Sequence, residues 1–297
     1  MTTAKPAGLL AVLLASVLWG TVGVATKAIY KIGETNALSI GFFRLAFSVP
    51  AMLLLYQAVY GFPAGKPQSK RDLALMFILG GAMALYQVCI FGAIPKVGVA
   101  IATLIAICVA PMVVALLAGW LLGETLSGRV LLALLLAISG TGLLVGWQGR
   151  IGQSGQMGAG IGLALGAAIS YAIVTICGRM LSGRYPALYP ITVGFAAGAM
   201  LLLPFALVGG LTLDYAPAGW LLLFYLGIIP TAIGYWLFLY GLRWLPATVA
   251  SIVTLIEPLT ATILASLLFH ERLAPAGIIG AGLLLTSMIL LAGPAKN

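Results

Sequence analysis

The amino-acid sequence predicts an all-α integral membrane protein, and three observations support that fold class. Of the 297 residues, 62% are hydrophobic and only 7% are charged, whereas a soluble domain has about 25% charged residues. The mean hydropathy is +1.16. Apolar stretches long enough to cross a hydrocarbon core of about 30 Å, which takes about 20 helical residues, recur along the chain. Most of the chain is therefore expected to lie in lipid.

Ten apolar stretches predict ten transmembrane helices. They cover residues 7–29, 36–60, 72–94, 97–122, 128–147, 158–181, 187–209, 217–241, 246–269 and 274–293. The segments between them are short, so we expect no separate soluble domain.

The positive charges predict topology and argue against a nucleic-acid partner. The net charge is +9, but the Lys and Arg residues are spread singly along the chain and form no basic face. Cations near the ends of transmembrane helices are more frequent on the cytoplasmic side. Placing the N-terminus inside puts most of them there, which predicts that both termini are cytoplasmic.

An internal repeat is the most informative pattern in the sequence. One fixed offset pairs Leu79-Gly80 with Leu226-Gly227, Phe91 with Phe238, Lys96 with Arg243, Pro111 with Pro258, Glu124 with Glu271, Leu126 with Leu273 and Gly146 with Gly293. A slightly larger offset pairs Trp19 with Tyr171 and Lys27 with Arg179. The chain is predicted to contain two five-helix repeats, residues 1–150 and 151–297.

An odd number of helices forces the second repeat to insert upside down relative to the first. Such inverted repeats are typical of secondary transporters, in which the substrate binds near the membrane midplane and access alternates between the two sides. A duplicated structural membrane protein without transport activity is the alternative.

Several short motifs resemble those of the drug/metabolite transporter superfamily, and specifically of its EamA-like ten-helix members. The motifs are Trp19-Gly20 with Lys27, Phe43-Arg44-Leu45, Glu257-Pro258, and Leu268-Phe269-His270-Glu271-Arg272-Leu273. Within that superfamily the chain is most similar to bacterial amino-acid exporters of the YddG type. It departs from the pattern at Ala110, the first-repeat position that corresponds to Glu257.

The resemblance implies a fold and a function. The fold is ten helices around a central cavity, with the fifth and tenth helices at the periphery. The function is export of a small metabolite, with amino acids the leading class, from a multi-pass protein of the bacterial inner membrane. No cofactor is implied.

Two ionisable residues lie deep within the predicted spans, where charges are expensive and commonly functional. Arg44 is predicted either to bind a substrate carboxylate or to snorkel or pair with a neighbouring helix. Glu257 is predicted either to bind a proton or a substrate ammonium group or to form a structural pair. Pro258 removes a backbone donor beside Glu257, which favours a kink there.

Aromatic and amide side chains supply the other candidates for the cavity wall. They are Trp19, Tyr86, Gln87, Tyr171, Tyr235, Trp236 and Tyr240. Ligand pockets are mostly apolar with a few placed polar groups, which suits this set. The alternative is that these residues pack the helices or anchor the membrane interface.

Catalytic and metal-binding roles are not predicted. The chain has a single histidine, His270, and a zinc-protease helix needs two. A membrane-embedded enzyme or lipid-handling protein, a transporter of another metabolite or drug, and a channel remain the alternatives to amino-acid export.

Energy coupling and oligomeric state are left open by the sequence. Proton antiport through Glu257 and facilitated diffusion fit it equally well. The small residues Gly142, Gly146, Gly277, Gly280 and Gly282 allow close helix packing, either within one monomer or between the subunits of a homodimer.

Overall fold

The computed structural model describes residues 4–61, 67–97, 99–145, 157–269 and 275–292. Within these ranges the regular structure is helical. The helices are α1 (Ala4–Ile32), α2 (Ala37–Tyr60), α3 (Lys70–Val97), α4 (Val99–Leu122), α5 (Gly128–Val145), α6 (Met157–Leu181), α7 (Leu188–Val208), α8 (Pro217–Gly241), α9 (Ala247–Val253 and Ile256–Phe269) and α10 (Pro275–Ala292).

Helix length and composition confirm a multi-pass membrane protein. In the described part of the chain, eight helices are long and apolar enough to cross a bilayer, and α5 and α10 are shorter apolar helices. The two short helices pack on each other at glycines, because a Cβ at Gly140 would lie 2.7 Å from the Gly280 carbonyl oxygen. Gly142 and Gly282 have open space where a Cβ would be, while Gly146 lies outside the described residues.

The main core lies between the two halves of the chain. Helix α3 packs on α6 and α7, and α8 packs on α1 and α2. The largest buried cluster joins Val12, Leu45, Phe195 and Phe238, which come from α1, α2, α7 and α8. Contacts between the halves therefore define the centre of the molecule.

Helices from different halves approach closely at both glycines of the Leu-Gly pair that recurs in the sequence. A Cβ at Gly80 in α3 would lie 1.9 Å from the Gly194 carbonyl oxygen in α7. A Cβ at Gly227 in α8 would lie 2.6 Å from the Cβ of Phe47 in α2. Only glycine permits either approach without a shift of the backbone.

Helices α8 and α9 are irregular near their centres. Residues Gly227–Ile233 of α8 form a π-helical segment that contains Pro230, and such segments are frequent at functional sites. Helix α9 is interrupted at residues 254 and 255, shortly before Pro258. Proline leaves the carbonyl four residues earlier without its usual donor, and the Glu257 N–H donates to the Thr254 carbonyl instead, at 2.9 Å.

Hydrogen bonds join the α1–α2 and α7–α8 loops at one end of the helix bundle. The side chain of Asn36 donates to the carbonyl oxygens of Gly209 and Gly210, at 3.2 and 2.6 Å. The Thr212 N–H donates to the hydroxyl of Ser39 at 2.9 Å. We call this group the Asn36 cluster.

At the opposite end of the bundle, the start of α3 and the loop before it lie against the α6–α7 loop, where the contacts are charged. Arg184 and the hydroxyl of Tyr185 donate to the two carboxylate oxygens of Asp72, at 2.9 and 2.8 Å. The Gln68 N–H donates to the Tyr185 hydroxyl at 2.7 Å. We call this group the Asp72 cluster, and its carboxylate is buried, with 2% of the side chain exposed.

Candidate solute-binding cavity

A small cavity lies among α3, α4, α6 and α9. Its polar lining consists of Tyr86, Tyr171, Thr254 and Glu257, and its apolar lining of Ala106, Ile107, Ala110, Pro111 and Leu255. The volume is about 40 Å³, which suffices for about one water molecule. Binding a metabolite therefore requires the surrounding helices or side chains to move.

The break in α9 places Glu257 at this cavity. Its side chain is half-buried, and it interacts electrostatically with Arg44 and with Tyr86. Ala110 and Pro111, which the repeat pairs with Glu257 and Pro258, also line the cavity. The wall thus contains the paired positions of both halves, but only one of them carries an acid.

Arg44 contacts α8 and is not among the lining residues. Its Nε donates to the hydroxyl of Thr231 at 3.4 Å, longer than the usual 2.7–3.2 Å. The partner lies in the π-helical segment, where Thr231 also donates to the Leu226 carbonyl at 2.6 Å. Arg44 therefore makes one long hydrogen bond to α8, in addition to its electrostatic interaction with Glu257.

Trp19 and Tyr235 lie in a packed aromatic cluster next to the cavity. The Trp19 Nε1 donates to the Pro230 carbonyl at 2.9 Å, and its ring centroid is 4.7 Å from that of Tyr235. The Tyr235 hydroxyl donates to the sulfur of Met83 at 3.5 Å. Both side chains are buried and are therefore packing residues in this conformation. Trp19 also contacts Tyr171 edge-on, with centroids 6.3 Å apart.

Three predicted site residues bear buried polar atoms with no hydrogen-bond partner in the described part of the chain. They are Gln87 Nε2, the Tyr171 hydroxyl and Trp236 Nε1, and Thr141 Oγ1 shares this property. A buried polar atom without a partner costs about 1–3 kcal/mol. Of these four residues, only Tyr171 lines the cavity.

The remaining predicted residues lie away from the cavity wall. Gln87 packs on α2, because a Cβ at Gly41 would lie 3.0 Å from its Nε2. Trp236 and Tyr240 are partly buried against the main core. The structure therefore brings Tyr86, Tyr171 and Glu257 together.

Sequence reasoning missed Thr254 and the whole apolar wall. Thr254 gives no signal of its own, because its position depends on the break in α9. Ala110-Pro111 did carry a signal, since the repeat pairs it with Glu257-Pro258.

A larger crevice of about 660 Å³ opens beside the Asn36 cluster. It is lined by loop residues that include Glu34 and Asp214, and it lies at the end of the bundle. In the described ranges, no group of three or more His, Cys, Asp or Glu side chains could hold a metal ion. His270 lies outside those ranges.

Comparison with known proteins identifies the family. The sequence model of the EamA-like transporter family matches residues 6–146 and again residues 158–293. The chain belongs to the EamA-like transporter family. This family places it in the drug/metabolite transporter superfamily, as the sequence motifs predicted, whereas similarity to the YddG type stays a prediction.

Relatives of this EamA-like protein are named as transporters. The uncharacterized transporter YwfM of Bacillus subtilis is 30% identical over 96% of this chain and 94% of its own length. An uncharacterized transporter of Archaeoglobus fulgidus is 30% identical over 94% of each chain. The uncharacterized inner membrane transporter YicL of Salmonella typhimurium is 29% identical over 96% of this chain and 94% of its own length.

A solved crystal structure has the same fold as this EamA-like protein. The TM-score is 0.82, with 19% sequence identity and 97% of each chain covered. Family and relatives together indicate a multi-pass membrane transporter, and a transporter is not a class of enzyme.

Proposed function

We propose that this EamA-like protein is a secondary transporter that exports amino acids by alternating access of a central cavity. The observation that carries the proposal is the Glu257 carboxyl group in a cavity that is lined by both hydroxyl groups and apolar side chains. An amino acid has the matching parts, namely an ammonium group and a side chain. The direction of transport follows from the resemblance to exporters.

Helix contacts support two inverted repeats, residues 1–150 and 151–297. If each helix of one half is replaced by its counterpart in the other half, the α3–α6 contact becomes α8–α1, the α3–α7 contact becomes α8–α2, and the α4–α6 contact becomes α9–α1. All six contacts are present. Individual positions follow the same rule. A Cβ at Gly8 would meet Trp244, and a Cβ at the corresponding Gly160 would meet Val97, the counterpart of Trp244.

The two ends of the bundle support alternation. The Asn36 cluster lies at one end and the Asp72 cluster at the other, and each joins loops from different halves. Because both clusters are formed and the cavity is small, the structure resembles a state closed at both ends. Opening either end requires one cluster to break while the other persists.

Arg44 supplies the second charge in this proposal. Its bond to Thr231 is long, so we expect a substrate carboxylate to compete for the guanidinium once the cavity widens. Glu257 then binds the ammonium group or exchanges a proton. Proton antiport and facilitated diffusion differ in whether a proton gradient drives accumulation.

Uptake of radiolabelled amino acids into proteoliposomes tests the proposal. The panel includes threonine, methionine and the aromatic amino acids, with and without a proton gradient. We expect saturable uptake that Arg44→Ala abolishes and that Arg71→Ala, which changes an exposed cation, leaves unchanged. Uptake that rises linearly with concentration would indicate a channel, and uptake of other solutes alone would indicate another metabolite or a drug.

Lipid scrambling or chemical conversion of an apolar substrate, without uptake, would instead support a lipid-handling protein or an enzyme. Cross-linking in the bilayer distinguishes a monomer from a homodimer.

A further inference from the structure

Tyr171 combines two features that no other described residue shares. Its hydroxyl is buried and makes no well-formed hydrogen bond with a described residue, although the side chains of Thr254 and Thr175 lie near it, and its side chain lines the cavity. Buried hydroxyl groups are nearly always satisfied. The adjoining cavity can supply a partner for this hydroxyl, either a water molecule or a polar group of a solute.

The corresponding residue of the other repeat supports this view. Trp19 pairs with Tyr171 in the sequence repeat, and its Nε1 donates to the Pro230 carbonyl at 2.9 Å. One member of the pair thus holds α1 to α8, while the hydroxyl of the other makes no well-formed hydrogen bond with a described residue. Packing alone does not explain a tyrosine at position 171, because phenylalanine would fill the same space without an unsatisfied hydroxyl.

The groups around the Tyr171 hydroxyl indicate what it would bind. The only charged side chain among the described lining residues is Glu257, and the lining also includes apolar side chains such as Ile107 and Leu255. An ammonium group has three N–H donors and no acceptor. It is therefore complementary to a carboxylate and a hydroxyl oxygen.

We propose that Tyr171 is a specificity-determining residue that, together with Glu257, binds the ammonium group of the solute. The apolar wall then takes the solute's side chain. This inference rests on the proposed transport of amino acids and deepens it. Because Arg44 lies outside the wall of the present cavity, the carboxylate reaches it only once the cavity widens, whereas the ammonium group meets Tyr171 and Glu257 in the cavity itself.

The first test is transport by Tyr171→Phe in the full chain. We expect the KM for a transported amino acid to rise about tenfold, the effect of losing one hydrogen bond to a charged group, while the maximal rate changes little. The melting temperature should not fall, since the hydroxyl makes no well-formed hydrogen bond with a described residue. Thr141→Val is the matched control, because it removes another unsatisfied buried hydroxyl, one that lies outside the cavity wall, and it should leave the KM unchanged.

A structural role for Tyr171 predicts the opposite pattern. In that case Tyr171→Phe lowers the melting temperature and leaves the KM unchanged, which would overturn the proposal. Trp19→Phe calibrates the measurement, since it removes a satisfied hydrogen bond and should lower the melting temperature.

The second test uses two analogues of leucine that each lack one charged group. The amine 3-methylbutylamine should inhibit uptake of a labelled amino acid, and Tyr171→Phe should weaken that inhibition about tenfold. The acid 4-methylpentanoate should inhibit far less. Equal inhibition by the two compounds would refute ammonium selection.

Direct binding separates failure of this inference from failure of the proposed function. The shift in melting temperature caused by 3-methylbutylamine is measured on purified protein and requires no transport. A shift that Tyr171→Phe abolishes supports the binding site even if no amino acid is transported. Transport of amino acids without any such shift supports the proposed function and overturns the assignment of Tyr171.

Discussion

Replacing Gly80 by alanine should destabilise the protein far more than replacing its neighbour Gly81. The new Cβ at position 80 would lie 1.9 Å from the Gly194 carbonyl oxygen. That oxygen belongs to the backbone of α7 and cannot rotate away, so α3 and α7 must separate by about 1 Å in a close-packed interior. Overpacking costs about 1–3 kcal/mol and occasionally more, and a backbone clash belongs at the upper end, at about 3 kcal/mol.

Gly81→Ala provides the matched control. Its Cβ would lie 3.7 Å from the Leu201 Cδ1, an ordinary contact, and alanine is favoured over glycine inside a helix by about 0.5–1 kcal/mol. Thermal unfolding of both variants in one detergent, followed by tryptophan fluorescence, should show a lower melting temperature for Gly80→Ala only. Equal melting temperatures for the two variants would refute the proposed close contact of α3 with α7.

Three further predictions concern the ends of the bundle. Asp72→Ala should lower the free energy of unfolding by about 1–3 kcal/mol, measured by denaturant titration, because the Tyr185 hydroxyl loses its acceptor. Arg184→Ala should lower it less, because 51% of the Arg184 side chain is exposed and water already surrounds it. Glu124 caps the start of α9, because its carboxylate accepts hydrogen bonds from the Ala247 N–H at 2.7 Å and from the Thr248 N–H at 3.2 Å. Glu124→Ala should lower the free energy of unfolding by about 0.5–2 kcal/mol, and Glu124→Gln should give an intermediate value in the same titration. Burial raises the pKa of Tyr185, and the hydrogen bond to Asp72 acts in the same direction. The stability linked to Tyr185 is therefore present below its ordinary pKa of 10.0 and is lost as pH rises through the raised pKa of the folded state. Melting temperatures measured across alkaline pH should therefore fall less steeply in Tyr185→Phe, and an identical slope would contradict this.

The helices could be predicted from the sequence because lipid leaves the backbone few alternatives. Backbone groups in hydrocarbon must bond within the segment, so a long apolar stretch is a helix. The recurring Leu-Gly pair indicated equivalent positions, and in the structure Gly80 and Gly227 are both sites of close helix contact. Local sequence therefore determined the helices, and the repeat paired two positions that the structure shows to be close contacts.

The irregular segments could not be placed from the sequence alone. Pro230 and Pro258 predict disturbed helices, but the type of disturbance depends on neighbours. The π-helical segment around Pro230 presents a carbonyl to Trp19 on α1, and that partner is known only once the helices are packed. The break near Pro258 falls at Thr254, which thereby joins the cavity wall.

The choice among aromatic candidates was also beyond the sequence. Tyr171 and Tyr235 have the same chemistry and both lie in predicted spans. Tyr235 is buried against Met83 and Trp19, whereas Tyr171 reaches the cavity. Only the packing of α6 and α8 against their neighbours separates the two.

The central claim is that the cavity at Glu257 binds and moves amino acids. The most direct test is the concentration dependence of labelled amino-acid uptake into proteoliposomes that contain either the wild-type protein or Glu257→Ala. We predict saturable uptake by the wild-type protein and loss of that saturable component in the variant. Two results would contradict the claim. One is uptake no greater than that of empty liposomes, with the wild-type protein shown to be folded and inserted. The other is saturable uptake that Glu257→Ala leaves unchanged.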